Sequence, residues 1–162
     1  MAKKNGKHKR TTLALVESPA QLLNVVEWAF AHGAEGQTRL AVLPPRDVTT
    51  RLQLEAVADL AREAGLAATW YEPRKSAASL VAVAWELFPK LAKAERLVVG
   101  DPFSRFVQAV LPLADVSEVV VVDEGVVGVA VELEGVLGAE AGALHRDVLV
   151  APRPVNPGFL LS

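Results

Sequence analysis

The sequence predicts an α/β domain in which helices cover both faces of a mainly parallel sheet of five to six strands, ordered 3-2-1-4-5. Three observations carry this. Short apolar runs alternate with longer helical patterns in the order βαβαβαβαβ, which calls for parallel strands joined by right-handed crossovers. The run Val119 to Val122 has no polar face, as expected of a central strand covered on both sides. The chain has 162 residues, 51% of them apolar and 22% charged, which suits one domain with a full hydrophobic core. The expectation is a single Rossmann-like three-layer αβα domain over residues 12–151. A disordered basic tail (1–11) precedes it and a Pro-rich extended tail (152–162) follows.

Each element has its own signals. Thr12 to Glu17 is a short apolar run and reads as the first strand. Ser18, Pro19 and Gln21 then open a helix. Ser18 can cap it, Pro19 suits its first position, and Gln21 can complete a capping box. Leu22, Leu23, Val25, Val26, Trp28, Ala29 and Phe30 cover most of its circumference, so it should be largely buried until Gly33 stops it. Arg39 to Leu43 is the second strand, closed by Pro44 and Pro45. Val48 to Ala64 is an amphipathic helix with Leu52, Leu54, Val57, Leu60 and Ala61 inward and Gly65 as its cap. Leu66 to Tyr71 alternates like an edge strand. Ser76 to Ala94 is helical, and Pro89 should kink or split it. Its apolar residues predict burial or a subunit interface.

Arg96 to Gly100 is the fourth strand, Ser104 to Leu113 a short helix, and Ser117 onward the fifth strand, ending at Asp123-Glu124-Gly125. Val126 to Leu133 reads as a strand or the start of a helix, and Asp147 to Ala151 as a candidate sixth strand. The chain closes on Phe159-Leu160-Leu161, which reads as a docked tail or the approach to a further domain.

Charge and composition exclude several chemistries. The net charge of −2 hides five basic residues among the first ten; the remainder holds 12 basic and 19 acidic residues, a balance of −7. The basic tail reads as a solvated terminus, and no nucleic-acid partner is expected. There is no cysteine, so no disulfide framework, thiolate zinc site or thiol nucleophile. No Gly-rich phosphate loop, Walker motif or nucleophile elbow follows a strand. His8, His32 and His145 lack metal-ligand spacing. No run reaches the ~20 apolar residues of a membrane span, and a cytoplasmic location is the default. No cofactor is called for.

In a sheet of order 3-2-1-4-5 the switch point lies between the first and fourth strands, and ligands bind beyond the strands' carboxyl ends there. Glu17, Asp101, Asp123 and Glu124 fall at those ends. Crowded carboxylates raise the pKa of one of them and supply a general base. Ordinary capping and loop formation explain strand-end carboxylates equally well, and Ser18 is fully explained as a cap. Magnesium ranks lower, because no D-x-D pair is present.

The residues Val16-Glu17-Ser18-Pro19-Ala20-Gln21-Leu22-Leu23-Asn24 resemble the opening of bacterial polysialyltransferase-like glycosyltransferases, where a strand runs into an E-S-P-x-Q-L-L-N-type turn and helix. Val99-Gly100-Asp101 with Ser104, Arg105 and Phe106 resembles their next marked stretch. Asp123-Glu124-Gly125 fits the (D/E)(D/E)G motif of bacterial sialyltransferases. The resemblance spans residues 12–125 in the family's order.

It implies a GT-B enzyme of two Rossmann-like domains, an N-terminal one for the acceptor sugar and a C-terminal one for CMP-sialic acid, the latter using a His-Pro motif. By that resemblance Asp123 or Glu124 is the catalytic base. Glu17, Ser18, Gln21, Asp101, Ser104, Arg105 and Gly125 line the acceptor side. The chain departs from the family in three ways. No histidine precedes a proline, the donor-binding half is missing, and Val126-Val127 replace a hydroxyl residue expected after the glycine. The expectation is therefore an acceptor-side half, inactive without a donor-binding domain or subunit. The alternative is a stand-alone, non-catalytic binding or scaffold module, acting as a homodimer or with a partner. A small enzyme complete in one domain rests on fold analogy alone.

Overall fold

The computed structural model describes residues 10–123 and 126–132. Five parallel strands and one antiparallel strand form a single sheet in the order β3-β2-β1-β4-β5-β6. β1 (Thr12–Val16) lies between β2 (Thr38–Val42) and β4 (Arg96–Val99), and β3 (Ala67–Trp70) is the edge beyond β2. β5 (Glu118–Asp123) lies beyond β4, and β6 (Val126–Glu132) returns antiparallel to it. The expected order 3-2-1-4-5 and the edge position of β3 hold. The sixth strand is Val126–Glu132, which settles the strand-or-helix alternative for that stretch; Asp147 to Ala151 lies outside the described residues.

Alternation along the strands divides the core in two. Ala14, Val16, Leu40, Val42, Val98, Val120 and Val122 face α1 (Pro19–Ala31) and α2 (Val48–Glu63). Leu13, Leu15, Ala41, Leu97 and Val99 face α3 (Ala77–Lys93) and α4 (Arg105–Val110). Every residue of β1 is buried, as its place at the sheet's centre requires. In β5 the four valines alternate, Val120 and Val122 buried and Val119 and Val121 half-buried.

The helices begin and end where their signals stand. Ser18 Oγ accepts from Gln21 N–H at 3.2 Å, Asp47 caps α2 through Thr50 N–H at 2.7 Å, and Ser76 and Ser79 form a reciprocal box on α3. Gly33 and Gly65 follow α1 and α2 at φ of 58° and 93°, where a Cβ would be strained.

Three sequence expectations are corrected. Leu23 and Phe30 leave α1 half-exposed, so it is an amphipathic surface helix. Leu52 and Leu60 point outward from α2, whose buried stripe is Leu54, Ala58 and Ala61; the 3.6-residue period puts only one narrow stripe on the sheet. Of the two outcomes expected of Pro89, a kink or a split, the split does not occur: α3 runs unbroken from Ala77 to Lys93. Its inner face is Val83, Leu87 and Leu91, while Val81, Trp85 and Phe88 are exposed, Trp85 by 80%. Arg10 and Thr11, at the end of the basic tail, are bonded to the fold: Arg10 Nη1 donates to Glu118 Oε2 at 2.9 Å and Thr11 N–H to Glu95 Oε2 at 3.0 Å.

Candidate functional site

The parallel register sets the site's frame. Leu15, Val99 and Val121 share one rung across β1, β4 and β5. Glu17, Asp101 and Asp123 each stand two residues beyond that rung, so the backbone brings all three to the carboxyl ends of neighbouring strands. This is the switch point between β1 and β4, as the strand order predicts. Glu124 and Gly125 lie outside the described residues, as does the Asp123 side chain.

Glu17 is the hub. Its side chain is only 10% exposed, and its Oε1 accepts from Arg74 Nη2 at 2.5 Å and from Ser104 Oγ at 2.9 Å. A carboxylate this deep needs such donors, because burying an unpaired charge costs several kcal/mol. Arg74 also donates through Nη1 to the Leu43 and Pro44 carbonyls at 3.0 and 3.1 Å. Its fork thereby ties the end of β1 to the end of β2, an arrangement the single ammonium of lysine does not reproduce.

The loop after β4 is drawn in by the same hub. Ser104 occupies the N-cap position of α4 but makes no side-chain cap there; its hydroxyl goes to Glu17 instead. Asp101 Oδ1 accepts from Phe103 N–H at 2.8 Å and shapes the turn before that helix. Arg105, at the first turn of α4, is exposed and makes no ion pair among the described residues.

Gln21 closes the floor. Its Oε1 accepts from Glu17 N–H at 2.9 Å, one residue earlier than a capping box would use. Gly100 makes this possible. A Cβ on Gly100 would lie 2.3 Å from Gln21 Cδ and Cγ. The glycine at the end of β4 is thus a close-approach glycine rather than a turn former.

The structure therefore gathers Glu17, Ser18, Gln21, Asp101 and Ser104 at one place and leaves Arg105 at its rim. Of the two carboxylates whose side chains are described, neither stands free. Glu17 is committed to Arg74 and Ser104, and Asp101 to its own loop. Among the described residues no group of three or more His, Asp or Glu side chains is placed to hold a metal ion. Two residues escaped the sequence reading. Arg74 lies 57 residues from its partner in a loop with no motif, and its only signal is a basic residue two positions after a strand-end glutamate, Glu72. Gly100 was legible as a strand-end glycine but not as Gln21's neighbour.

A second charged cluster lies beyond β2 and β3. Arg51 Nη1 donates to Glu72 Oε2 at 3.0 Å, its Nη2 donates to Oε1, and Trp70 Nε1–H also donates to that oxygen at 3.1 Å. The Arg51 guanidinium holds the Glu72 carboxyl below the usual glutamate range, and Glu72 in turn raises Arg51.

No protein-family model matches the chain, and no curated protein is similar to it in sequence. Among solved structures it is similar to glycinamide ribonucleotide transformylase 1 from Symbiobacterium toebii, with 15% identity and a TM-score of 0.44 over 71% of this chain and 51% of that one. The chain thus spans about half the length of that structure.

Proposed function

We propose that this chain is the acceptor-side domain of a sialyltransferase-like glycosyltransferase, with the base supplied by Asp123 or Glu124. The observation that carries the reading is the 2.9 Å bond from Ser104 to Glu17. It links two of the three stretches that resemble the family, and the third begins at Asp123, the last residue of the adjoining strand β5, at the same level. In this reading Glu17 is a wall-building residue, since its carboxylate is occupied, and the proton of an acceptor hydroxyl passes to the carboxylate at the end of β5. Transfer requires a CMP-sugar-binding domain, in the same or another polypeptide. The test is transfer to a glycan acceptor once that domain is supplied. Asp123→Asn or Glu124→Gln should abolish transfer while circular dichroism stays unchanged; full activity in both variants overturns the proposal.

A second reading, a non-catalytic binding or scaffold module, is favoured by the outer face of α3. Val81, Trp85 and Phe88 follow helical spacing there and are exposed by 68%, 80% and 46%. It requires a stable homodimer or a fixed partner in solution. A strictly monomeric protein that captures nothing counts against it.

A further inference from the structure

A concave region of the described surface carries a charge opposite to that of the chain. Beyond the carboxyl ends of β2 and β3 a cavity of about 340 Å³ is lined by Pro45, Arg46, Val48, Arg51, Glu72, Arg74 and Lys75. Four cations face one carboxylate there, in a chain of net charge −2.

The cations are not equivalent. Arg51 is matched by Glu72 and Arg74 by Glu17. Arg46 donates through Nε and Nη2 to the Arg74 carbonyl, at 3.1 and 3.0 Å, and has no acidic partner among the described residues. Lys75 has none either, and acts on Glu72 only through its field. The nearby Asp47 carboxylate is turned to Thr50, whose N–H and hydroxyl both donate to Oδ2 at 2.7 Å. Two positive charges thus remain unmatched at the mouth, while the ion pairs behind them hold the loop in shape. A neighbouring cavity, also about 340 Å³, shares Val48 and Arg51 and is lined further by Leu52 and Trp70, with Glu55 and Arg62 also in its wall. It offers apolar room beside the cationic end.

We infer that this cavity binds the oxyanion of a small ligand, a phosphate or a carboxylate, through Arg46 and Lys75, with the ligand's body extending over Val48 and Leu52. Bidentate donation from a guanidinium and a point charge from an ammonium are the usual means of holding such a group. The inference does not depend on the glycosyltransferase reading, because it uses other residues than the ends of β4 and β5.

The experiment is isothermal titration of the full chain at low ionic strength with inorganic phosphate, glucose 6-phosphate, glucuronate and glucose. At least one oxyanion should bind saturably and glucose should not. Glucose 6-phosphate binding without glucuronate makes the group a phosphate, and the converse makes it a carboxylate. The Arg46→Ala/Lys75→Ala double variant should weaken binding about a hundredfold or more, since each of the two charge-assisted hydrogen bonds contributes about tenfold or more. Lys93→Ala, on the distant end of α3, should leave it unchanged. Both cavity residues are exposed, so circular dichroism should report an intact fold in the double variant. No saturable oxyanion binding, or equal binding in the double variant, overturns the inference.

Discussion

Ser104 Oγ donates to Glu17 Oε1 at 2.9 Å, joining residues 87 apart in the chain and diverting a helix-cap serine from its own helix. Arg74 holds the same oxygen. The two donors should differ in weight. Ser104→Ala removes one hydrogen bond to a charged acceptor and should cost about 1–2 kcal/mol. Arg74→Ala removes the cation and the tie to two carbonyls, and should cost roughly 2–4 kcal/mol, with its 36% exposure keeping the loss toward the low end. Arg74→Lys should recover little of it. Urea denaturation of the three variants gives the order; equal losses for serine and arginine would show that Glu17 does not need its cation.

Gly100 and Gln21 make a coupled pair. Gly100→Ala should push Gln21 off the Glu17 amide and cost about 1 kcal/mol or more, the value of one hydrogen bond plus local strain. Gln21→Ala should cost a similar amount alone. In the double variant the second change should add almost nothing, because the clash and the lost bond are the same event. Strict additivity would separate the two residues.

Stability should depend on Glu72 in acid. Its folded-state pKa lies below the unfolded one, so its contact with Arg51 contributes in full above the ordinary glutamate range. That contribution is lost as pH falls through the depressed value. Glu72→Gln should therefore lower stability at neutral pH and flatten the acid limb below the glutamate range. Parallel acid limbs in the two proteins would remove Glu72 from the account.

Two large residues of α3 should behave oppositely. Leu87 is fully buried, and Leu87→Ala should cost about 2–5 kcal/mol. Trp85 is 80% exposed, and Trp85→Ser should stay within about 0.5 kcal/mol while making the protein less prone to self-association. Thermal unfolding reads the first pair of values and sedimentation the second.

The order of strands was legible because each crossover carries its own periodicity and its own stop signals: Ser18-Pro19, Gly33, Gly65 and Ser76 all act where they stand. Burial was less legible. Leu52, Leu60 and Trp85 are apolar yet face outward, and composition cannot tell a stripe that meets the sheet from one that does not. The carboxylates of the site could be located from strand ends, but their occupancy could not. Whether Glu17 is free depends on Arg74 and Ser104, which reach it across 57 and 87 residues and obey no local pattern.

The central place of β1 has a consequence in time. Of the described strands it is made first, and Thr12 pairs with Arg96 on one side as it pairs with Thr38 on the other. At about 5–20 residues per second, synthesis needs on the order of 4–17 s to travel from the first strand to its β4 partner. Throughout that interval β1 can be paired along one edge only. A nascent chain arrested before residue 96 should therefore be captured by hydrophobic-binding chaperones, and one released after residue 132, with β4, β5 and β6 all in place, should not.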